Sequence, residues 1–431
     1  MRRARKNRKR NRIGVAQSRT GRRRMTAPGL PWSLQENPRL RDWVDLSTAG
    51  VARAFTAKVE LGQGIVTAMA QIAAEELRLP LSRIVVVSGD TRYSPNESYT
   101  AGSMSVEIGG TSLRIACAEL REAIIAKAAQ MLRTDAARVT VEDGAVLIDG
   151  ARSGIDYWKV APEIDWEHRI TGNGPLSERS HATQIGRSVA RLDLPRKITG
   201  GGFIQDLDLP GMLHARVLRP PSNGAYLKTL EVSAAARLPG VVKIWRSGDF
   251  VGVCCAREYQ AVKALDALRA GAKWIEDENE SISQNWAQSL PVMRSIDSES
   301  EHGAKPALGD SAIHLSATYS KPPLAHAAMG PSCAVACYES EKLTVWTHSQ
   351  GVFPLRAALS DALKMDEESI TVIHLPGAGC YGHNGADDAA LDAALLAREV
   401  PSRPVRVQWM RDDELAWSPF GSPMVVKIDG V

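Results

Sequence analysis

The residues with the clearest potential for chemistry form a glycine-rich stretch, Gly377-Ala378-Gly379-Cys380-Tyr381-Gly382. Three glycines in six positions let a backbone approach a bound group closely, and the N–H groups at the start of a helix attract anions such as pyrophosphate. The stretch lies between a β-branched run and a segment with helical spacing. It is therefore a candidate cofactor-binding loop.

The same stretch fits the G-x-G-x-x-G pattern of dinucleotide-binding turns, and Asp412 could bind the ribose of such a cofactor. Pro376 before the first glycine, the bulky Tyr381 before the third and a late helix start count against that interpretation, because the third glycine of a dinucleotide turn already lies in the helix. Two alternatives stay open on these residues: a glycine-rich surface turn, or a nicotinamide dehydrogenase that uses Gly377, Gly379 and Gly382.

Two other loops of small residues also precede predicted helices. One is Glu60-Leu61-Gly62-Gln63-Gly64 and the other is Thr100-Ala101-Gly102-Ser103. A single loop of this kind is more often a tight turn than a ligand site, whereas three suggest backbone donors that converge on a phosphate-bearing cofactor. Gln350 directly follows a predicted strand, where its amide could face a pocket, although a solvated turn residue is the commoner case.

The elements that must position these loops follow from hydrophobic spacing. A strand is predicted at 370–374, and after the glycine loop a helix capped by Asp387 and Asp388, with Leu391, Ala394 and Leu395 on one face. Further predictions are strands at 83–87, 213–217, 241–245 and 343–346, helices at 260–272 and 354–363, and a hairpin with strands 139–141 and 146–148.

Length and composition are those of a globular protein with two to four domains, since the chain has 431 residues and 44% hydrophobic content. Twelve of its 53 Lys and Arg residues lie in residues 1–24, and the remainder carries 41 basic and 49 acidic residues, a net charge of −8. Such a body argues against a nucleic-acid or anionic-lipid partner. No stretch predicts a membrane span.

The basic head, residues 1–24, has no acidic residue and no apolar run. It lacks the pattern of a secretory signal, so we expect a disordered segment and a cytoplasmic protein. A start at Met25 is an alternative, and so is a binding protein whose head contacts nucleic acid.

Polar, glycine-rich and proline-rich stretches divide the chain into six predicted parts. They are the head at 1–24, a segment at 25–150, a linker at 151–185, an α/β module at 186–275, a polar linker at 276–310 and a last segment at 311–431. The six cysteines show none of the spacings of zinc or iron–sulfur sites, which predicts reduced and mostly buried thiols.

A set of spaced motifs runs in order from Trp43 to Val431: Val59 to Gly64, Gly89-Asp90-Thr91, Thr100 to Ser103, Arg191 to Gly200, Leu209 to His214, Leu238 to Val242, Thr347 to Gln350 and the Gly377 loop. Together they resemble the molybdopterin-binding large subunit of the xanthine dehydrogenase and aldehyde oxidase family. Their order is similar to that of the permuted bacterial branch with isoquinoline oxidoreductase and nicotinate dehydrogenase-like subunits. The resemblance implies an α+β fold in which molybdopterin-binding segments at 25–150 and 311–431 flank an α/β-hammerhead module at 186–275.

The resemblance also implies roles for individual residues. The expected cofactor-binding residues are Gly62, Gln63, Gly64, Thr100, Ala101, Gly102, Ser103, Gln350, Gly379, Cys380, Tyr381 and Gly382. Among them, Gln350 would hydrogen-bond an oxygen ligand of molybdenum, and Tyr381 would border the metal and the substrate. No protein metal ligand is expected, because the dithiolene of the cofactor holds the metal in this family.

The family hydroxylates a carbon beside a ring nitrogen, or an aldehyde, with water as the oxygen source. The resemblance implies molybdopterin with molybdenum, in its cytosine dinucleotide form, and a small partner subunit that carries the 2Fe-2S clusters, because this chain lacks their cysteine spacing. A flavin or cytochrome c would accept the electrons.

The glutamate base of the family has no counterpart in these residues. Met424 to Gly430 has the pattern of a strand, without a partner strand. We therefore expect a chain that lacks the C-terminal half of the large subunit and is inactive alone.

Overall fold

The computed structural model describes residues 29–276, 286–303, 312–383 and 385–431. The predicted disordered head, at 1–24, lies outside the described residues, as do parts of the predicted polar linker. In the part of the chain that is described, no helix is long and apolar enough to cross a membrane.

The helices follow the hydrophobic spacing closely. They are α1 Trp32–Glu36, α2 Ile65–Leu77, α3 Thr111–Leu132, α4 Tyr157–Val160, α5 Leu194–Thr199, α6 Ser233–Ala236, α7 Glu258–Gly271, α8 Trp286–Ser289, α9 Val352–Leu363, α10 Ala386–Arg398 and α11 Arg411–Trp417. A π-helical turn, Ser105–Gly110, leads directly into α3.

The strands are short. They are β1 Val44–Asp45, β2 Ala52–Thr56, β3 Ile84–Ser88, β4 Val139–Glu142, β5 Ala145–Ile148, β6 Ala151–Asp156, β7 Leu213–Leu218, β8 Tyr226–Leu230, β9 Val241–Ser247, β10 Phe250–Cys255, β11 Ala272–Ile275, β12 Leu315–Lys321, β13 Cys333–Glu339, β14 Lys342–Thr347, β15 Ile370–His374, β16 Val405–Gln408 and β17 Met424–Gly430. Helices and strands thus alternate in some regions and segregate in others, and the predicted α+β class is confirmed.

The N-terminal segment forms one layer of helices on a small sheet. The sheet has the order β1-β2-β3, and α2 connects the parallel pair β2 and β3. Helices α2 and α3 bury their apolar faces against it around Met69, Leu113 and Leu120. The chain from 151 to 185, predicted to be a linker, adds β6 to the hairpin β4-β5 and buries Tyr157 and Ile170 in the same core.

The second layered structure is a seven-stranded mixed sheet with the order β15-β14-β13-β16-β7-β10-β9. Strands β7, β10 and β9 come from the predicted α/β module, and the other four come from the last segment. They join where β16 pairs in parallel with β7. The predicted boundary between these segments is therefore not a break in the sheet.

Helix α10 packs on this sheet through small side chains. Leu391 and Leu395, predicted to share one face of the helix with Ala394, are partly buried and pack against the core, and Ala394 is fully buried. The fully buried residues of the helix include Ala389, Ala390 and Ala393, and the helix packs mainly on β13. Alanine lets the helix axis approach the sheet closely, and Leu396 is fully buried with these alanines.

The prediction that Met424 to Gly430 has no partner strand is also wrong. Strand β17 pairs with β12 over seven residues in an antiparallel ribbon. Its partner lies about a hundred positions earlier, so local sequence patterns could not reveal it. The ribbon leaves Leu315, Tyr319 and Ile428 exposed.

Candidate active site

Loops from four stretches of the chain surround one open cavity of about 290 Å³. Its lining comprises Leu61, Gln63, Thr100, Ala101, Ser103, Ser105, Gln350, Cys380, Tyr381 and Gly382. Eight of these ten residues belong to the predicted cofactor-binding set. Gly62, Gly64, Gly102 and Gly379 lie in the same loops without lining the cavity.

The turn Gly89-Asp90-Thr91 brings the two layered structures together. Asp90 forms a bridge with Ile373 of β15, and the N–H of Thr91 donates to the carbonyl of Val372 over 3.1 Å. The N–H of His374 donates back to Gly89 over 2.7 Å. A Cβ at Gly89 would lie 2.7 Å from that of His374, so only glycine permits this approach.

The amide of Gln350 is held on both sides. Its Nε2 donates to the carbonyl of Thr100 over 3.2 Å, and its Oε1 lies 3.0 Å from Nδ1 of His383. Because a carboxamide nitrogen carries two hydrogens, one remains for a group in the cavity. His383 must donate from Nδ1 in this arrangement, which fixes the direction of the Gln350 amide.

The acidic residues behind His383 are not part of the cavity lining. Burial raises the pKa of Asp387, against a hydrogen bond from Ser349 and the charge of His383, which lower it. Burial also raises the pKa of Asp388. Both carboxyls therefore favour the neutral form more than an exposed aspartate does.

The carboxylate of Glu60 binds N–H groups of the Gln63 loop. Oε1 of Glu60 accepts from the N–H groups of Gly62 and Gly64 over 2.8 and 2.9 Å, and the buried Glu60 side chain lies at the start of α2. The N–H groups of Gly62 and Gly64 are therefore occupied by Glu60. The side chain of Gln63 folds back on Leu61 N–H and the Val59 carbonyl.

The Thr100 loop is open by comparison. Gly102 and Ser103 both have positive φ, at 65° and 60°. The N–H groups of Ala101, Gly102 and Ser103 have no partner among the described residues. Successive N–H groups in such a turn form a concave site that suits anions.

The Gly377 loop is shaped by close contacts that glycine alone permits. A Cβ at Gly379 would lie 2.8 Å from the Tyr381 ring, and one at Gly382 would lie 2.5 Å from Nδ1 of His326. Tyr381 itself has φ of 57° and is 63% exposed at the cavity mouth. Burial raises the pKa of the Cys380 thiol, so this sulfur is neutral near pH 7.

This loop does not have the geometry of a dinucleotide turn. Gly382 precedes the first helical residue, Ala386, by four positions, and Gly385 is the N-cap of α10. Strands β15 and β16 are separated by β14 and β13, and β13 is antiparallel to its neighbours. Asp412 lies in the first turn of α11 rather than at a strand end.

The buried side chains of Lys58 and Glu97 support the Thr100 loop. Nζ of Lys58 donates to the carbonyls of Glu97 and Tyr99, while Oε2 of Glu97 accepts from Thr56 and Ala57. Burial lowers the pKa of Lys58 and raises that of Glu97. The loop is thereby fixed on β2, since breaking either partner would leave an uncompensated buried group.

The chemistry of the cavity lining suits an organic cofactor. No group of three or more His, Cys, Asp or Glu side chains in the described ranges is placed to hold a metal ion. The lining instead offers amide, hydroxyl and backbone donors from Gln63, Ser103, Ser105 and Gln350. These donors suit the ring nitrogens, carbonyls and phosphates of a pterin cofactor.

Sequence reasoning missed several residues at this site. Leu61 and Ser105 belong to the predicted loops or their flanks, and the pattern alone could have included them. Glu60 acts within its own loop, whereas Arg191 and His383 contact loops that are far away in the sequence. Glu60 and Arg191 lie in stretches already named as motifs, but only charge or ring chemistry marked the individual side chains, and many surface residues share that signal.

The cysteines match their sequence-based expectation. All six are free thiols, so the prediction of reduced and mostly buried cysteines is confirmed. Five of them are buried, and Cys337 is partly exposed.

Comparison with known proteins gives a consistent picture. Two profiles described as molybdopterin cofactor-binding domains match the chain, one over residues 1–190 and the other over residues 293–429. A nicotinate dehydrogenase component of Pseudomonas putida is 34% identical over 424 residues, which cover 94% of this chain and 35% of that protein. The beta chain of isoquinoline 1-oxidoreductase from Brevundimonas diminuta is 24% identical, over 94% of this chain and 58% of that protein.

The chain thus spans about a third and just over half of the lengths of these two relatives. A solved structure of quinoline 2-oxidoreductase from Pseudomonas putida 86 matches 57% of this chain and 37% of its own, with 22% identity and a TM-score of 0.45.

Proposed function

Since the chain belongs to the molybdopterin-binding xanthine dehydrogenase family, we propose that its cavity is the pterin side of a molybdenum cofactor site in an oxidoreductase. The observation that carries this proposal is the convergence of the Gln63, Thr100, Gln350 and Gly382 loops on one cavity. More than three hundred positions separate the first from the last. A glycine-rich surface turn would need no such convergence.

Each loop has a distinct task in this proposal. The open N–H groups of Ala101 to Ser103 bind the anionic part of the cofactor, and Gln63 and Gly382 bound the pterin from either side. Gln350 points its free amide hydrogen toward the reacting centre. The bound cofactor supplies a two-electron oxidation, for which this chain provides position and hydrogen bonds.

We propose an N-heterocycle as the substrate class and an aldehyde as its alternative. The nicotinate dehydrogenase relative favours the former, and it is the one with 34% identity. Tyr381 is placed to meet a flat aromatic substrate, because its ring is exposed at the cavity mouth. Water is the proposed oxygen source.

We propose a separate iron–sulfur subunit as the electron acceptor. Five of the six cysteines are buried, and burial raises the pKa of all six thiols, which disfavours the thiolates that clusters need. The cytosine dinucleotide form of the cofactor and a flavin or cytochrome c as terminal acceptor complete the proposal.

The general base of the proposed reaction is not supplied by the described residues that line the cavity. Among the described residues, no carboxylate belongs to its lining, and Asp387 and Asp388 lie outside it. A positioned general base typically contributes about 10²–10⁴-fold to a rate. We therefore propose that full turnover needs protein beyond these 431 residues.

The test is to produce the chain in a molybdopterin-synthesising host, alone and together with an iron–sulfur subunit of the family. Metal analysis and pterin fluorescence measure the bound cofactor. We expect molybdenum and pterin in equal amounts in the complex, and less of both when Thr100 is changed to Pro, which alters its loop. A complex that purifies intact with neither molybdenum nor pterin would contradict the proposal.

A further inference from the structure

A cationic side chain closes the Gln63 loop from outside. Arg191 lies in the segment that leads from the N-terminal layers toward β7. Its guanidinium donates to the Gly62 carbonyl over 2.6 Å and to Oε1 of Glu60 over 3.2 Å. The same carboxylate oxygen of Glu60 accepts from two N–H groups of the loop, so Arg191 neutralises the charge on which the loop depends.

Arg191 is itself held in place. Nε and Nη2 of Arg191 donate to the two oxygens of Asp193 over 3.0 and 2.6 Å, and Lys197 donates to the same carboxylate over 2.7 Å. Burial alone would raise the pKa of Asp193, but the hydrogen bonds from Arg191 and Lys197 outweigh it and lower the pKa to about 2. The carboxylate is therefore charged throughout the neutral range.

The side chain of Arg191 also lies close to Gly64. A Cβ at Gly64 would lie 3.8 Å from Nε of Arg191, in van der Waals contact. The backbone of Leu192 adds a further bond, donating to Oγ1 of Thr67 in the first turn of α2 over 3.0 Å. The segment thus contacts the loop, the carboxylate inside it and the helix that follows.

We propose that Arg191 is a positioning residue for the cofactor cavity, which acts through Glu60 to hold the Gln63 loop against the cavity wall. The inference rests on the proposed function for the identity of the ligand, but its geometry does not. Gly62 and Gly64 have positive φ and little intrinsic preference for one conformation. Without the bonds to Glu60 and Arg191, the loop would sample conformations that withdraw Gln63 from the lining.

The experiment compares three variants with the unsubstituted chain by amide hydrogen exchange. Arg191→Ala removes the guanidinium, Arg191→Lys keeps a charge without the planar fork, and Arg138→Ala removes an exposed bidentate pair with Asp149 as the matched control. We expect exchange at Gly62 and Gly64 to rise by at least about tenfold in Arg191→Ala, less in Arg191→Lys and not in the control. Amides in the body of α2, from Met69 to Leu77, should keep their protection.

Adding free guanidinium ion to Arg191→Ala tests whether Arg191 positions the loop or only stabilises the fold in general. Millimolar guanidinium ion should restore protection at Gly62 and Gly64 in Arg191→Ala, whereas sodium at equal ionic strength should not. In the complex with the iron–sulfur subunit, the same variant should retain less pterin and regain it with guanidinium.

Two results would overturn the proposal. One is unchanged exchange at Gly62 and Gly64 in Arg191→Ala, and the other is faster exchange along all of α2. If the unsubstituted complex binds no pterin, the proposed function fails, and the exchange data still decide whether Arg191 holds the loop.

Discussion

Thr100 and Gln350 exchange two hydrogen bonds although 250 positions separate them. The N–H of Thr100 donates to the Gln350 carbonyl over 2.8 Å, and Nε2 of Gln350 donates to the Thr100 carbonyl over 3.2 Å. Oγ1 of Thr100 also accepts from the N–H of Val59 over 2.9 Å. This pair ties the N-terminal layers to the seven-stranded sheet at the edge of the cavity.

The first prediction concerns the stability of this junction. Gln350→Leu removes the side-chain bonds to Thr100 and His383 and leaves a buried carbonyl without its donor. We expect a loss of about 1–3 kcal/mol in the free energy of unfolding, measured in urea. Gln130→Leu, on the exposed side of α3, should change it by less than about 0.5 kcal/mol. Equal stability of the Gln350 variant and its parent would show that the bonds contribute nothing.

The second prediction concerns Gln350 in turnover, and it depends on the proposed function. Removing one preorganised donor typically costs about 10²–10³ in kcat. We expect Gln350→Leu to lose activity by that order while the pterin content per chain changes little. Gln350→Glu keeps an acceptor for His383 but no donor, so it should be impaired equally. A variant with normal kcat would exclude the amide from the reaction.

Local sequence patterns predicted the elements that carry the site better than the contacts between them. Strand β15, helices α2, α9 and α10, and the three glycine-containing loops were all predictable, because periodicity and glycine position are local signals. The pairing of β12 with β17 was not, since both strands are exposed and neither pattern specifies a partner.

The hydrogen bonds and charges of the site could likewise not be predicted from local sequence patterns alone. A glycine loop before a helix predicts open N–H donors, and the Thr100 loop has them. In the Gln63 loop, the nearby Glu60 takes these donors, and a sequence pattern cannot show where a carboxylate folds back. The role of Arg191 depends in turn on that carboxylate, more than a hundred positions away.

The third prediction concerns the shape of the Gly377 loop. Gly379 has φ of 106°, and a Cβ there would press on the Tyr381 ring. We expect Gly379→Ala to destabilise the protein by about 1–3 kcal/mol through strain and displacement of that ring. Gly50→Ala is the matched control, because its φ is 79° and no atom lies within 4 Å of the added Cβ.

A double variant separates the backbone strain at Gly379 from the contact between the added Cβ and the Tyr381 ring. Tyr381→Ala in the Gly379→Ala background should recover the part of the loss that comes from the ring, and leave the part that comes from φ. Thermal unfolding of the four proteins in this cycle measures both parts. If Gly379→Ala costs no more than Gly50→Ala, the ring contact has no energetic weight.

The fourth prediction concerns acid sensitivity at the junction of the two sheets. His374 is buried there, with Nδ1 3.1 Å from the Ser349 carbonyl and Nε2 3.3 Å from that of Glu60. Burial lowers its pKa from 6.5 to about 4, although the two carbonyls favour the charged form. Burial likewise lowers the pKa of the neighbouring His348 to about 3.

The direction in which stability changes with pH follows from proton linkage. The unfolded chain binds a proton at His374 near pH 6.5, whereas the folded chain does so only near pH 4. The contribution of His374 to stability is therefore greatest above pH 6.5, and about 2–3 kcal/mol of it is lost as the pH falls to 4. His374→Gln cannot take up the proton and should lose less stability over this interval, as urea unfolding at a series of pH values would measure. His302→Gln, on an exposed surface, should keep the parental slope. Parallel pH profiles for His374→Gln and the parent would mean that acid acts elsewhere, and that the junction does not depend on a neutral His374.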